Sequence, residues 1–287
     1  MLGSLDNEVI FKKAFTDKIV FEAFVKDILG LDITVGTIET EKKFTPAIGH
    51  IDFELDIFAE TLDKRTVIEL QRAQYDYNFD RFMHYLQMLV AEQQQKASKY
   101  KVKQTVYLIV VMTLPYKFND LTGEAVKEEV IVTKFCSQNL NGKNIPIYAH
   151  QMVCLNPNHP EPDTPPEMRD WLDLFYQSIH SPERPNINRS NAGIKRAAEL
   201  IDFTKFTPEQ LAEAKNMEQN EVVKSIYREE GLQDGLREGK IEGKIEGKRE
   251  QAVITATNAI QEGLDDSITA KLTGLTTEEI QEIRKSL

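Results

Sequence analysis

Asp56 is the last acid of the run IDFELDIF, and Glu69 stands alone in the apolar run VIELQ thirteen positions later, with Gln71 two residues further on. A lone carboxylate in an apolar run is costly to bury without a partner, so Glu69 asks for one. Glu69 and Gln71 are two apart and leave the same face of an extended strand. If Asp56 shares that face, three oxygen-bearing groups meet at one edge of a hydrophobic sheet. Two partly desolvated carboxylates repel, and their pKa values rise unless a cation compensates. Mg2+ or Mn2+ suits this donor set, because such ions accept one or two carboxylates, here Asp56 and Glu69, with a carbonyl such as that of Leu70. A structural ion pair is the competing reading. The histidines, His50, His84, His150, His159 and His180, show no HxxxH or HxH spacing, which argues against zinc.

The elements around these residues follow from hydrophobic periodicity. Apolar residues from Val9 to Leu29 recur at helical spacing, with Asp6 as the expected N-cap and Gly30 as the stop. ITVGTIETEKKF reads as a strand, and HIDFELDIFAE as a second, with Ile51, Phe53, Leu55 and Ile57 inward and Asp52 and Glu54 wet. KRTVIELQ is a third, joined to the second by a hairpin-length connection around TLD, which would bring Asp56 towards Glu69. A helix follows, with Phe79, Phe82, Met83, Leu86, Leu89 and Val90 on its buried side, and then TVYLIVVMTL, a strand covered on both faces. EVIVTKFC and IPIYAHQMVCL look like further strands. The expected class is α/β.

The acid of LDIF followed by Glu69 and Gln71 of IELQ resembles the PD-(D/E)XK nuclease superfamily, with glutamine where lysine is usual. DNEVIFKKAFTD, LDIFAETLDKRTVIELQR and NFDRFMHYLQML are similar to the recombination-promoting nuclease and transposase family, in which the E-x-Q variant is usual. The likeness covers residues 6 to 115 well and the tail loosely. It implies a restriction-endonuclease-like core (helix, three strands, helix, strand) with a helical C-terminal extension. It also implies metal-dependent hydrolysis of DNA, in recombination or transposition. Asp56 and Glu69 would hold the metal, with the Leu70 carbonyl, and Gln71 would orient water or bind phosphate. Neutral Gln71 cannot supply the charge that a lysine brings to the reacting phosphate, so a second metal or an arginine is needed. Arg81, four before Tyr85 on one helix face, is the candidate for that and for contact with nucleic acid. Glu8 is an optional further ligand; its other reading is a solvated helix-start acid favoured by the macrodipole.

A net charge of −11 excludes a generally basic nucleic-acid binder but leaves open a local positive groove or a metal bridging acids to phosphate. No apolar run is long enough to span a bilayer, and the start lacks a secretory pattern, so a cytoplasmic protein without a membrane partner is expected. Cys136 and Cys154 are too far apart for a CxxC motif. No small-molecule cofactor is indicated.

Five prolines in NPNHPEPDTPPE precede a helix around Trp171. The expected domains are a core over 1–181, a helical extension over 182–230, a Gly/Glu/Lys repeat over 231–250 and a helical hairpin over 251–287. Gly231, Gly235, Gly239, Gly243 and Gly247 would each weaken a helix by about 0.8–1 kcal/mol relative to alanine, which suits a hinge or a weak helix. In the final hairpin Thr276 and Glu279 have capping-box spacing. That hairpin reads as a structural or dimerising element or as a minimal helix-turn-helix, and a homodimer stays open. The rival to a nuclease is an inactive nuclease-like fold that binds nucleic acid or protein.

Overall fold

The computed structural model describes residues 1–44, 53–72, 78–95, 102–114, 126–135, 137–145 and 147–287, and side chains for these except 78, 95, 220–230, 232–234, 236 and 238. Two helices open the chain where the periodicity suggests one: α1 (Glu8–Phe15) and α2 (Lys18–Leu29). The break lies at Thr16 and Asp17. The Thr16 hydroxyl donates back to the Lys12 carbonyl, and the Asp17 carboxylate accepts the Ile19 and Val20 amides as the N-cap of α2. Asn7, not Asp6, caps α1, accepting the amides of Val9 and Ile10. Gly30 ends α2 in the left-handed region, as its position suggests.

Strands β1 (Ile38–Phe44), β2 (Phe53–Glu60) and β3 (Lys64–Gln71) form an antiparallel meander, followed by helix α3 (Asn78–Gln95) and strand β4 (Thr105–Met112). Position 52 and the expected strand start before Phe53 lie outside the described residues, as does Cys136. Strands β5 (Val130–Lys134), β6 (Ser137–Gln138), β7 (Asn144–Ile145) and β8 (Gln151–Leu155) complete the set. The main sheet has the order β1-β2-β3-β4-β8-β5, with β3, β4 and β8 parallel, while β6 and β7 form a small separate hairpin.

The sheet is covered on both faces, which is why β4 is apolar almost throughout. On one face, Ile109 and Val111 of β4 and Ile68 and Leu70 of β3 pack with α1, α2, α4 (Pro166–His180) and α5 (Ala192–Leu200). On the other, Val106, Leu108 and Val110 meet Phe82, Leu86 and Leu89 of α3. The expected sequence of helix, strands, helix and strand is therefore present, as a mixed α/β layered fold. Cys154 is buried in it, and that burial pushes its thiol up to about 12, leaving an unreactive group. Among the described residues no helix is long and apolar enough to cross a membrane.

The first compact unit runs from Met1 to Glu218, past the break expected near residue 181. Ile194, Ala197 and Ala198 of α5 lie in the same core as Phe24 and Trp171. Trp171 is fully buried, with its indole N–H donating to Asp27 at 2.7 Å and its ring edge-on to Phe24. The second unit, Gln219–Leu287, holds most of helix α6 (Pro208–Gln261), then α7 (Asp266–Thr273) and α8 (Thr277–Ser286). The glycine repeat is helical in its backbone, within α6. The Thr276–Glu279 capping box forms, and Ala256, Ile260 and Ile280 make a small core.

Gly193 explains how closely α5 approaches α2: a Cβ there would stand 2.4 Å from the Ala23 Cβ and 3.0 Å from the Trp171 ring. Gly193→Ala must push the two helices apart and is expected to cost about 1–3 kcal/mol. A urea denaturation midpoint equal to that of the wild type would contradict this packing.

Candidate active site

The β2–β3 hairpin pairs Ile57 with Ile68 and Phe58 with Val67, so the next register position sets Asp56 against Glu69. There the backbone ladder stops. The Asp56 amide donates to Glu69 Oε1 at 3.0 Å, and the Leu70 amide donates to Asp56 Oδ2 at 2.8 Å. Each carboxylate thus takes an amide from the opposite strand. The side chains lie between the parting strands, held there by amides that would otherwise bond carbonyls across the ladder.

The simple alternation read from the sequence does not hold through β2. Phe53 and Leu55 pack with Phe58 beside α3, whereas Ile57 and Ala59 pack on the opposite face. The inward face therefore changes sides at Asp56. In a regular strand a carboxylate would point onto one face; the irregular step lets it reach the Leu70 amide instead. Opposite Asp56 on β1, between the Thr40–Ile57 and Lys42–Leu55 pairs, stands Glu41 with φ +52°.

Glu69 and Gln71 share the α3 face of β3, as their spacing requires, and both are buried. Arg81 Nη2 donates to Gln71 Oε1. Its guanidinium lies over the Phe82 and Tyr85 rings at 5.2 and 5.6 Å, and its Nε is buried without a hydrogen-bond partner among the described residues. Arg72 is on the other side, 3.5 Å from Asp6, as a regular strand would place it. The Gln71 carbonyl accepts the Thr113 amide on the β4 side. Carbonyls alternate along a strand, so that of Leu70 points the other way, towards the parted edge. Glu8 bonds to Lys12, and its charge acts on Asp56. Glu54 is exposed. Lys12 and Glu41 also stand here, unselected by the sequence reading; the Glu8–Lys12 spacing of four points to Lys12, and nothing local points to Glu41.

Burial pushes the Asp56 carboxyl up to about 6, against the opposing effect of the Leu70 amide. Glu69 is held well above the usual carboxylate range, first by burial and then by the neighbouring Asp56 charge. Among the described residues no three His, Cys, Asp or Glu side chains form a cluster suited to a metal. The donor set is instead two carboxylates with a carbonyl oxygen, a combination that Mg2+ accepts with water and phosphate oxygens. The excess negative charge of this pair is what a divalent cation would neutralise.

A family model described as PD-(D/E)XK nuclease family transposase matches residues 7–227. No curated protein and no solved structure matches the chain.

The raised carboxyl pKa values set the direction of a pH effect. From about pH 4 to about 6 the folded Asp56 keeps a proton that the unfolded chain has released, so stability falls as pH rises through that window. Asp56 alone corresponds to roughly 3 kcal/mol, and Glu69 extends the decline upward. Asp56→Asn keeps an oxygen for the Leu70 amide while removing the charge. It should flatten the fall in denaturation midpoint from about pH 4 to about 6; an equally steep fall in the variant would refute the assignment.

Proposed function

The chain belongs to the PD-(D/E)XK nuclease family transposases, and from that premise we propose that it is a Mg2+- or Mn2+-dependent DNA endonuclease acting in recombination or transposition. A nuclease- or transposase-like role follows from the family. The endonuclease reading rests on one observation: two buried-edge carboxylates, Asp56 and Glu69, hold each other's strand amides and both carry raised pKa values. Such a pair is poised to accept a divalent cation.

In this reading Asp56, Glu69 and the Leu70 carbonyl hold the metal, with Glu8 as an optional ligand. Bound Mg2+ supplies Lewis-acid charge and an acidified water. Glu69 and Asp56 keep their oxygens in place because each is tied to the opposite strand. Gln71 fixes the Arg81 guanidinium through its carbonyl oxygen, and either orients the water or contacts the phosphate itself. The Arg81 guanidinium helps bind the DNA backbone. DNA is the proposed substrate, and the cytoplasm the proposed place of action.

Gln71 in place of the usual lysine favours a second reading, a nuclease-like fold that binds nucleic acid or protein without turnover. Plasmid nicking separates the two. With Mg2+ or Mn2+ the wild type is expected to nick supercoiled DNA, and Asp56→Ala or Glu69→Ala to lose roughly 10²-fold or more of that rate. Arg81→Ala should lose roughly tenfold to 10²-fold, with weaker DNA binding. Nicking that persists unchanged in Asp56→Ala excludes this site. DNA binding by the wild type with no nicking under either metal selects the second reading.

A further inference from the structure

Helix α1 brings a second cation to the carboxylate pair. Lys12 Nζ bonds to Glu8, one turn earlier on its own helix, and to Glu41 Oε1 on β1 at 2.9 Å. Its side chain is 14% exposed. Glu41 occupies the register position opposite Asp56, so this ion pair fixes the ammonium beside the parted strands. Lys12, Glu8, Thr40 and Glu41 also line an open cavity of about 420 Å³, which extends to Phe206 and Gln210 and is not lined by Asp56 or Glu69. The next residue, Lys13, points elsewhere, over the Phe206 ring and onto Gln210.

Glu41 carries a cost for its position. Among the described residues it is the one non-glycine with positive φ, in a region that disfavours side chains with a Cβ by about 1–2 kcal/mol. That strain sits opposite Asp56. Its visible result is the carboxylate placed on Lys12. The Lys12 charge acts on both Asp56 and Glu69, as does that of Arg81. The two cations arrive from opposite sides: α1 packs on one face of the sheet and α3 on the other.

Resting on the nuclease reading above, we propose that Lys12 contacts the scissile phosphate and supplies the positive charge that glutamine at position 71 cannot, with Glu41 as its positioning residue. An ammonium has three N–H donors. Glu8 and Glu41 take two, and the third is available to a phosphate oxygen. Lys12 stays protonated and moves no proton; it offsets the negative charge that builds on the phosphoryl oxygens as water attacks phosphorus and the ester oxygen leaves.

The test uses the full chain, a plasmid substrate and metal-free duplex DNA. Lys12→Met is expected to lower kcat by roughly 10²-fold and to reduce the slope of log K against log salt by about 0.9, one phosphate contact. Lys12→Arg should keep that slope. Glu41→Gln should lower kcat by roughly tenfold without changing the slope, because the lysine remains but is less well placed. A Lys12→Met protein with wild-type kcat and slope overturns the proposal, and so does one that loses kcat with an unchanged slope, which marks a structural role. Where Lys12→Met does not fold, wild-type kcat in Glu41→Gln overturns it. Failure of the wild type to cleave removes the nuclease reading and this proposal together, whereas cleavage that needs Asp56 but not Lys12 removes this proposal alone.

Discussion

The crossing of two amides, that of Asp56 onto the Glu69 carboxylate and that of Leu70 onto the Asp56 carboxylate, is the constraint on which the rest of the site depends. A hairpin cannot part inside a protein without orphaning N–H groups, and each buried orphan costs about 1–3 kcal/mol. Here the side chains that open the strands also satisfy the amides released by opening them. The two acids therefore hold the strands as well as carrying the proposed chemistry. Truncating either removes a carboxylate and strands an amide, whereas an amide isostere removes only the charge.

Helix α3 is braced against β3 at two points, and the braces differ in kind. Towards the start of β3, Arg65 donates to Glu92 at 2.7 Å and to Gln104 at 2.8 Å, with the Arg65 and Glu92 side chains each 9% exposed. Removing one partner of such a buried pair commonly costs about 3–5 kcal/mol, so this end is stiff. At the other end the link is Arg81 to the neutral Gln71. The stiff brace lies away from the carboxylates, and the softer one beside them.

Much of this was legible in the sequence because the signals were local. The unbroken apolar run of β4, the short turn between β2 and β3, and the spacing of Glu69 and Gln71 each follow from a period-two pattern read within one segment. The split between α1 and α2 was hidden because Thr16 and Asp17 interrupt a helical periodicity that continues across them. The change of face at Asp56 was hidden for a different reason. Phe53, Leu55 and Ile57 alternate without fault, and only contact with α3 on one side and α1 and α2 on the other separates them. Lys12 and Glu41 are twenty-nine positions apart, a pairing that no local pattern reports. The close approach at Gly193 depends on Ala23, 170 positions earlier, and no local pattern reports it.

The Gln71–Arg81 hydrogen bond also bears on how such a site can change over generations. A lysine at position 71 would meet the Arg81 guanidinium in a mostly buried place, two like charges with a desolvation penalty. Glutamine is thus half of a two-residue state. Lysine introduced at position 71 alone therefore carries a penalty that loss of the Arg81 charge would relieve.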